Sequence, residues 1–239
     1  MKPKLYSVSI VPCIFIEVAF ILITIGLGTD SWYWVTSGDH PVAERPEHNM
    51  KYGLWRTCFT DWPTGPFARL SLAPPYEVCV SSLTKRTNSS TDSSVKNTLE
   101  EINLFVSIAV ISSAALLLLA VVVCSIGFWK ELVSETKTVV IAASTGGLAV
   151  LGGLLEAAAL ICFIALRDLE RQNSLLPATV YRGWGWSFMV SWAGVGMALI
   201  GGFAFFYMAY LMKLERKYTY VSKQNGKSDD KYGLSMQGY

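Results

Sequence analysis

The sequence predicts an α-helical membrane protein, a bundle of four transmembrane helices topped by a small antiparallel β-sheet. The sheet is drawn from the first outer loop and part of the second. Three observations carry this. Of the 239 residues, 52% are apolar and only 16% charged, against about 45–50% and about 25% in an ordinary soluble domain. Four long apolar stretches fall at residues 7–28, 102–129, 138–166 and 186–212, each meeting the roughly 20 residues that cross a hydrocarbon core about 30 Å thick. Between the first two lies a loop, 29–101, with runs of aromatic and β-branched residues that suit strands. The charge deficit argues against a disordered chain and a water-soluble enzyme, and a net charge of +2 argues against a basic nucleic-acid binder.

Each span is expected to be helical, because lipid offers no partner for a bare N–H or C=O. Pro12 stands near the start of span one, where a first turn tolerates it. Thr98-Leu-Glu-Glu101 reads as a capping box ahead of span two. The short connection 130–137 makes spans two and three antiparallel neighbours, 167–185 forms a second outer loop, and the polar tail 213–239 is expected to lack structure. A basic segment at its start, Lys213 to Tyr220, either attracts anionic lipid or simply fixes topology.

Orientation follows from Lys and Arg. The segments 1–6, 130–137 and 213–239 hold 10 of them in about 40 residues, whereas the two other loops spread 10 over about 92. The denser side is expected in the cytosol, with both termini, which leaves loop 29–101 outside the plasma membrane. Span one has a second reading, a cleaved signal peptide, since Lys2 and Lys4 precede it and Gly26 and Gly28 are small enough for a cleavage site. Its length exceeds the usual 7–15-residue apolar region, which favours retention.

In the outer loop, Cys58 and Cys79 are the cysteines that lie outside the spans, and an oxidising compartment is expected to bridge them. Closing a loop of about 20 residues is worth roughly 3 kcal/mol. Cys13, Cys124 and Cys162 read as small packing residues. Asn88-Ser89-Ser90 is a glycosylation acceptor on the same outer side. Strands are expected at 31–37, 51–60 and 76–82. If 51–60 is one strand, Trp55 and Cys58 point to opposite faces, so the bridge lies on one face and Trp55 packs with Phe59 on the other.

Within the spans, Glu17 falls near the middle of span one and Glu156 in the outer half of span three. A carboxylate in hydrocarbon costs at least a few kcal/mol, so both are expected to face the bundle interior and to find a partner. They serve either as hydrogen-bonded glue between helices or as contacts to a partner channel or an ion. Span three carries Thr145, Ala149, Gly153 and Ala157 at intervals of four, and span four carries Gly194, Ala198 and Gly202. Small residues so spaced let helices approach closely. They form either seams inside the bundle or a docking face for another membrane protein.

Other features carry less. The glycine clusters lie within apolar spans and lack the flanking strand and Lys-Ser/Thr of a phosphate loop. His40 and His48, with Glu44 and Glu47, read as a solvated loop rather than a metal site. No spacing suggests a nucleophile with its base. Neither catalysis nor a cofactor is expected.

The order Trp32/Trp34, then Gly53-Leu54-Trp55-Arg56-Thr57-Cys58, then Cys79, all ahead of a second span, resembles the signature of the claudin, peripheral myelin protein and calcium-channel γ-subunit superfamily. The resemblance implies four spans, a long first outer loop, termini inside, and one further strand from 167–185 beside the loop sheet. Gly185-Trp186-Ser187-Phe188 at the start of span four is more similar to the γ-subunit (stargazin-like) and claudin-domain-containing branch. The two cysteines stand about twice as far apart as in tight-junction claudins, and the chain ends Gln237-Gly238-Tyr239 rather than in Tyr-Val. The branch implies a non-catalytic auxiliary or regulatory subunit that binds a channel or receptor through spans three and four and through the outer sheet. The rival expectation is a cell–cell junction or adhesion protein, whose outer loops meet claudin-like proteins in cis or trans. Loop 29–101 holds seven Lys/Arg against nine Asp/Glu, so it makes no strong field of one sign. Expected partners are therefore membrane proteins and the bilayer, with no nucleic acid.

Overall fold

A computed structural model describes residues 3–37, 49–61, 76–81, 93–128, 135–172 and 180–233. Four helices dominate: α1 (Pro3–Gly28), α2 (Ser93–Phe128), α3 (Glu135–Gln172) and α4 (Trp186–Gly233). Each contains a segment long and apolar enough to cross a membrane: Ile10–Gly28, Glu101–Ile126, Thr138–Gln172 and Trp186–Tyr218. Around the bundle α1 packs on α4, α4 on α3, and α3 on α2, with a lesser contact between α1 and α2. The start of α1 and the end of α4 lie at the end opposite the sheet.

The sheet has five antiparallel strands: β1 (Tyr33–Ser37), β2 (Asn49–Tyr52), β3 (Arg56–Asp61), β4 (Tyr76–Ser81) and β5 (Val180–Trp184). Their order is β4-β3-β2-β1-β5. The expected strand from the second outer loop is therefore present, paired with β1 from Tyr33↔Trp184 to Ser37↔Val180. The sheet's inner face alternates into the core as its pleat requires: Tyr33 and Val35 are buried, while Trp34 between them is 42% exposed.

Two connected cores result. One fills the half of the bundle away from the sheet, with Ile16, Ile23, Leu117, Ala149 and Phe205 among its members. The other joins the sheet to the helix ends, with Trp32, Val35 and Leu54 against Val110, Leu160, Phe163 and Phe188. The helices meet through small residues. A Cβ at Gly153 would lie 3.2 Å from the Cβ of Ala198, one at Gly146 2.9 Å from the Gly202 carbonyl, and one at Gly194 2.7 Å from Ile23.

Several sequence expectations are corrected. Residues 51–60 are not one strand: Tyr52 pairs with Thr57, and the Gly53 amide donates to the Arg56 carbonyl at 2.9 Å. Leu54 and Trp55 are thus a two-residue hairpin loop, which the aromatic content of the run concealed. Thr98 lies inside α2, which begins at Ser93, so the helix does not start there. Pro12 is interior to α1, because the helix starts at Pro3. The polar tail continues α4 as far as Gly233, instead of losing structure at 213. Its Lys, Glu and Arg are good helix formers that extend a turn already nucleated in the span. Cys13 and Cys124 are not separate packing residues but a bonded pair joining α1 to α2. Finally, Glu17 does not face the bundle interior; it is exposed on the outer surface of α1, since Cys13, Ile16, Ala19 and Ile23 take the inward stripe.

Candidate functional site

The sheet and its junction with the helices hold the features that the sequence singled out. α1 ends at Gly28 and α4 begins at Trp186. Those ends leave orphan carbonyls and orphan amides respectively, which a buried junction must satisfy. Two indoles of the loop serve the first. Trp32 Nε1 donates to the Gly26 carbonyl at 2.7 Å, and Trp55 Nε1 donates to the Leu27 carbonyl at 2.8 Å. The lead-in to β1 serves the second: the Ser187 amide donates to the Ser31 carbonyl at 3.2 Å, and the Thr29 hydroxyl lies 2.8 Å from that of Ser187. One short segment, 29–32, therefore closes both helix ends.

Glycines make this closeness possible. A Cβ at Gly53 would come within 2.8 Å of Asp30 Cα, and one at Gly185 would collide with the Ser31 carbonyl. Gly185 also donates its amide to the Trp32 carbonyl at 2.9 Å. The hairpin is then tied by Arg56, whose Nε donates to Asp30 Oδ2 at 2.6 Å. That pair is half exposed on the arginine side, so its net worth is small.

Trp32 is fully buried, edge-on to Phe163 of α3 at 5.2 Å and to Phe188 of α4 at 6.4 Å. Phe188 stacks on Trp184 of β5 at 4.5 Å. Beside them sits Arg167, which sequence reasoning counted only as a charge. It is 6% exposed, with its guanidinium 4.5 Å from the Tyr52 ring and 4.7 Å from the Phe163 ring. It donates to Glu170 Oε2 at 2.7 Å. A helical step of four from Phe163 to Arg167, at the outer end of an apolar span, was the available signal.

Cys58 and Cys79 are bridged, directly opposite one another on β3 and β4. Asn88, His40 and His48 lie outside the described residues. Among the described residues no group of three His, Cys, Asp or Glu could hold a metal.

Of the intramembrane residues, Glu156 is buried within α3, and neither carboxyl oxygen has a hydrogen-bond partner among the described residues. Ser113 of α2 lies beside it, but that hydroxyl gives its proton to the Gly152 carbonyl at 2.9 Å. Thr145, Ala149, Gly153, Gly194, Ala198 and Gly202 all point inward, and Ala157 is half-buried. These stripes are seams within the bundle. Trp34 is a large aromatic that the sheet turns outward, over Gly183 of the neighbouring strand, where a Cβ would lie 2.6 Å from the indole.

The arrangement can bind, brace and present a surface. Comparison with curated proteins finds no match. A family profile described as PMP-22/EMP/MP20/Claudin tight junction matches residues 17–207, a stretch that begins at Glu17, takes in all five strands and reaches Tyr207 of α4. With four spans, a five-stranded antiparallel sheet and a Trp…Gly-Leu-Trp…Cys…Cys junction that ties the two together, the chain belongs to the claudin superfamily.

Proposed function

We propose that this chain is a non-catalytic auxiliary or regulatory subunit of an ion channel or receptor, of the kind found in the γ-subunit branch. In this reading it sits in the plasma membrane with both termini in the cytosol and its sheet outside. The supporting observation is the rigid continuity between sheet and helices: β5 runs through Gly185 directly into α4, and Trp32 and Trp55 hold the sheet to the last turn of α1. A partner touching the sheet would thereby act on α3 and α4 as one body. The outer faces of those helices carry Leu151, Ile161, Ile200 and Phe203, all more than half exposed, which suits lateral contact with another membrane protein.

The test is purification of the chain from plasma membranes in mild detergent, followed by recording from the co-purified channel or receptor with and without the chain. The expected result is a shift in gating that Trp34→Ala weakens without lowering surface amount. Localisation confined to cell borders, with no effect on any co-purified channel, would refute it. Asn88 carries a glycan in this reading, seen as a mobility shift on enzymatic deglycosylation.

The adhesion reading is favoured by one observation, the outward Trp34 on the sheet face away from the core. An aromatic so placed is the usual anchor of a protein contact. Strand formation between otherwise non-adherent cells expressing the chain would support it over the auxiliary role.

A further inference from the structure

The bond between Cys13 of α1 and Cys124 of α2 is placed unlike that between Cys58 and Cys79. Cys13 lies within a turn of Ile10, where the first span begins, and Cys124 within a turn of Ile126, where the second ends. Both are buried at the end of the bundle away from the sheet. In the orientation proposed above, on which this inference rests, that end faces the cytosol. Cytosolic thiols are kept reduced, and a bond that forms among them is usually transient, catalytic or redox-sensing. The bond also crosses the seam that depends on it most. Of the four helix contacts around the bundle, that of α1 with α2 is the least extensive. The neighbouring seams are close without any bond. A Cβ at Gly201 of α4 would lie 2.9 Å from Ile16 and 3.2 Å from the Pro12 carbonyl of α1, and one at Gly152 of α3 would lie 3.2 Å from Leu117 of α2. Ser113 of α2 also donates to the Gly152 carbonyl at 2.9 Å. α1 is thus packed with α4, and α2 with α3, while one covalent bond closes the inner half of the α1–α2 seam.

We propose that Cys13 and Cys124 form a redox latch: bonded, they close the inner half of the α1–α2 seam, and reduced, they let α1 part from α2 there. The opening is confined to the inner end, because Trp32 and Trp55 hold the last turn of α1 to the sheet. The oxidant is hydrogen peroxide, small and neutral enough to enter the seam. One thiolate attacks a peroxide oxygen, the O–O bond breaks, and a sulfenic acid forms while the departing hydroxide takes up a proton and leaves as water. The second thiolate attacks that sulfur; the S–S bond forms, the S–O bond breaks, and hydroxide again leaves as water with the remaining thiol proton. The two sulfurs together lose two electrons, and the peroxide becomes two waters. A cytosolic thiol such as glutathione reverses the step when the seam opens locally. Two of its molecules supply two electrons and two protons, and leave joined as their own disulfide.

The test uses the full-length protein and has two readouts. Unstressed cells are quenched in acid, which halts thiol exchange, and the denatured chain is tagged without reductant. Three tags are expected, on Cys13, Cys124 and Cys162; after hydrogen peroxide, as after purification in air, only Cys162 should react. In nanodiscs, nitroxides on ketone-bearing residues at the exposed positions Val11 and Val122 report the distance between α1 and α2 without using a cysteine. Reduction should lengthen and broaden that distance, by about 2 Å or more. The double variant Cys13→Ser with Cys124→Ser should show the reduced distance and ignore peroxide, and thermal unfolding checks that it is folded. A single tag in unstressed cells would make the bond a permanent staple, and three tags after peroxide would show that it does not form. Equal distances in the bonded and reduced protein would show that it closes nothing. Each of these overturns the proposal. A tail epitope stained on intact cells would overturn the orientation and the switch with it, and is read apart from the distances, since a nanodisc leaves both ends in one solution.

Discussion

The indole N–H of Trp55 donates to the carbonyl of Leu27 at 2.8 Å, so a hairpin loop in the sheet completes the last turn of a transmembrane helix. Trp32 does the same one residue earlier, at Gly26. The aromatic signature of the loop is therefore a capping device: carbonyls in the last turn of α1 receive indole donors, the Gly26 carbonyl alongside the amide and hydroxyl of Thr29. Trp55→Phe keeps the ring and removes the donor. It should cost about 1 kcal/mol, the net worth of one such bond. Trp32→Ala removes a fully buried side chain and should cost about 3–5 kcal/mol. Thermal unfolding in detergent or nanodiscs measures both, and equal losses for the two variants would contradict the larger cost expected from removing the buried Trp32 side chain.

Glycines that touch backbone should differ from glycines that face open space. A Cβ at Gly185 would run into the Ser31 carbonyl, and one at Gly202 would lie 2.6 Å from Val150 and 3.1 Å from the Gly146 carbonyl. Around Gly196 there is nothing within 4 Å. Gly185→Ala and Gly202→Ala should each destabilise by about 1–3 kcal/mol through overpacking. Gly196→Ala should be neutral or stabilise by up to about 1 kcal/mol, since alanine favours a helix interior. Surface abundance of the three variants would rank in the same order.

These residues also mark how far the sequence could be read. The four spans follow from hydropathy, because lipid forces an unbroken helix wherever about 20 apolar residues run together. The strand positions follow from aromatic and β-branched runs, but the hairpin at Leu54-Trp55 does not. Its turn residues are themselves apolar, and they are held by contacts to Asp30 and Leu27 far away in the chain. The inward or outward sense of Glu17 was equally hidden. Its inward neighbours at 13, 16, 19 and 23 are no more apolar than the isoleucines that share its own face. In lipid both sides of a helix are hydrophobic, so periodicity cannot say which is core. Small-residue spacing was informative for the opposite reason, because close approach needs a missing side chain wherever the seam lies.

The cysteines make a prediction that needs no mutation. Cys58 is bonded to Cys79 and Cys13 to Cys124, which leaves Cys162 as the free thiol among the five. Denatured without reductant, the protein should take one thiol-specific mass tag, and after reduction five. Three tags without reductant would show Cys13 and Cys124 unpaired and would return them to simple packing between α1 and α2. Replacing Cys58 and Cys79 together by Ala should lower stability by about 3 kcal/mol, from loop closure over a separation of 21 residues.

Arg167 should not tolerate a conservative exchange. Its guanidinium lies between the Tyr52 ring of β2 and the Phe163 ring of α3, at 4.5 and 4.7 Å, while one nitrogen reaches Glu170. A planar cation fits between two rings and still presents a directed N–H; an ammonium cannot do both. Arg167→Lys should therefore cost about 1–2 kcal/mol, through weakened contact with the rings. Tyr52→Leu should cost less in this background than in the wild-type chain, because the ring contact with residue 167 is already impaired while its packing on Tyr33 is lost in both. Salt should change these values only slightly, since the side chain is 6% exposed and poorly screened. A double-mutant cycle on Tyr52 and Arg167, read by thermal unfolding, measures the coupling. A coupling energy near zero would mean that the sheet is held to α3 by apolar packing alone, and that the arginine is merely accommodated.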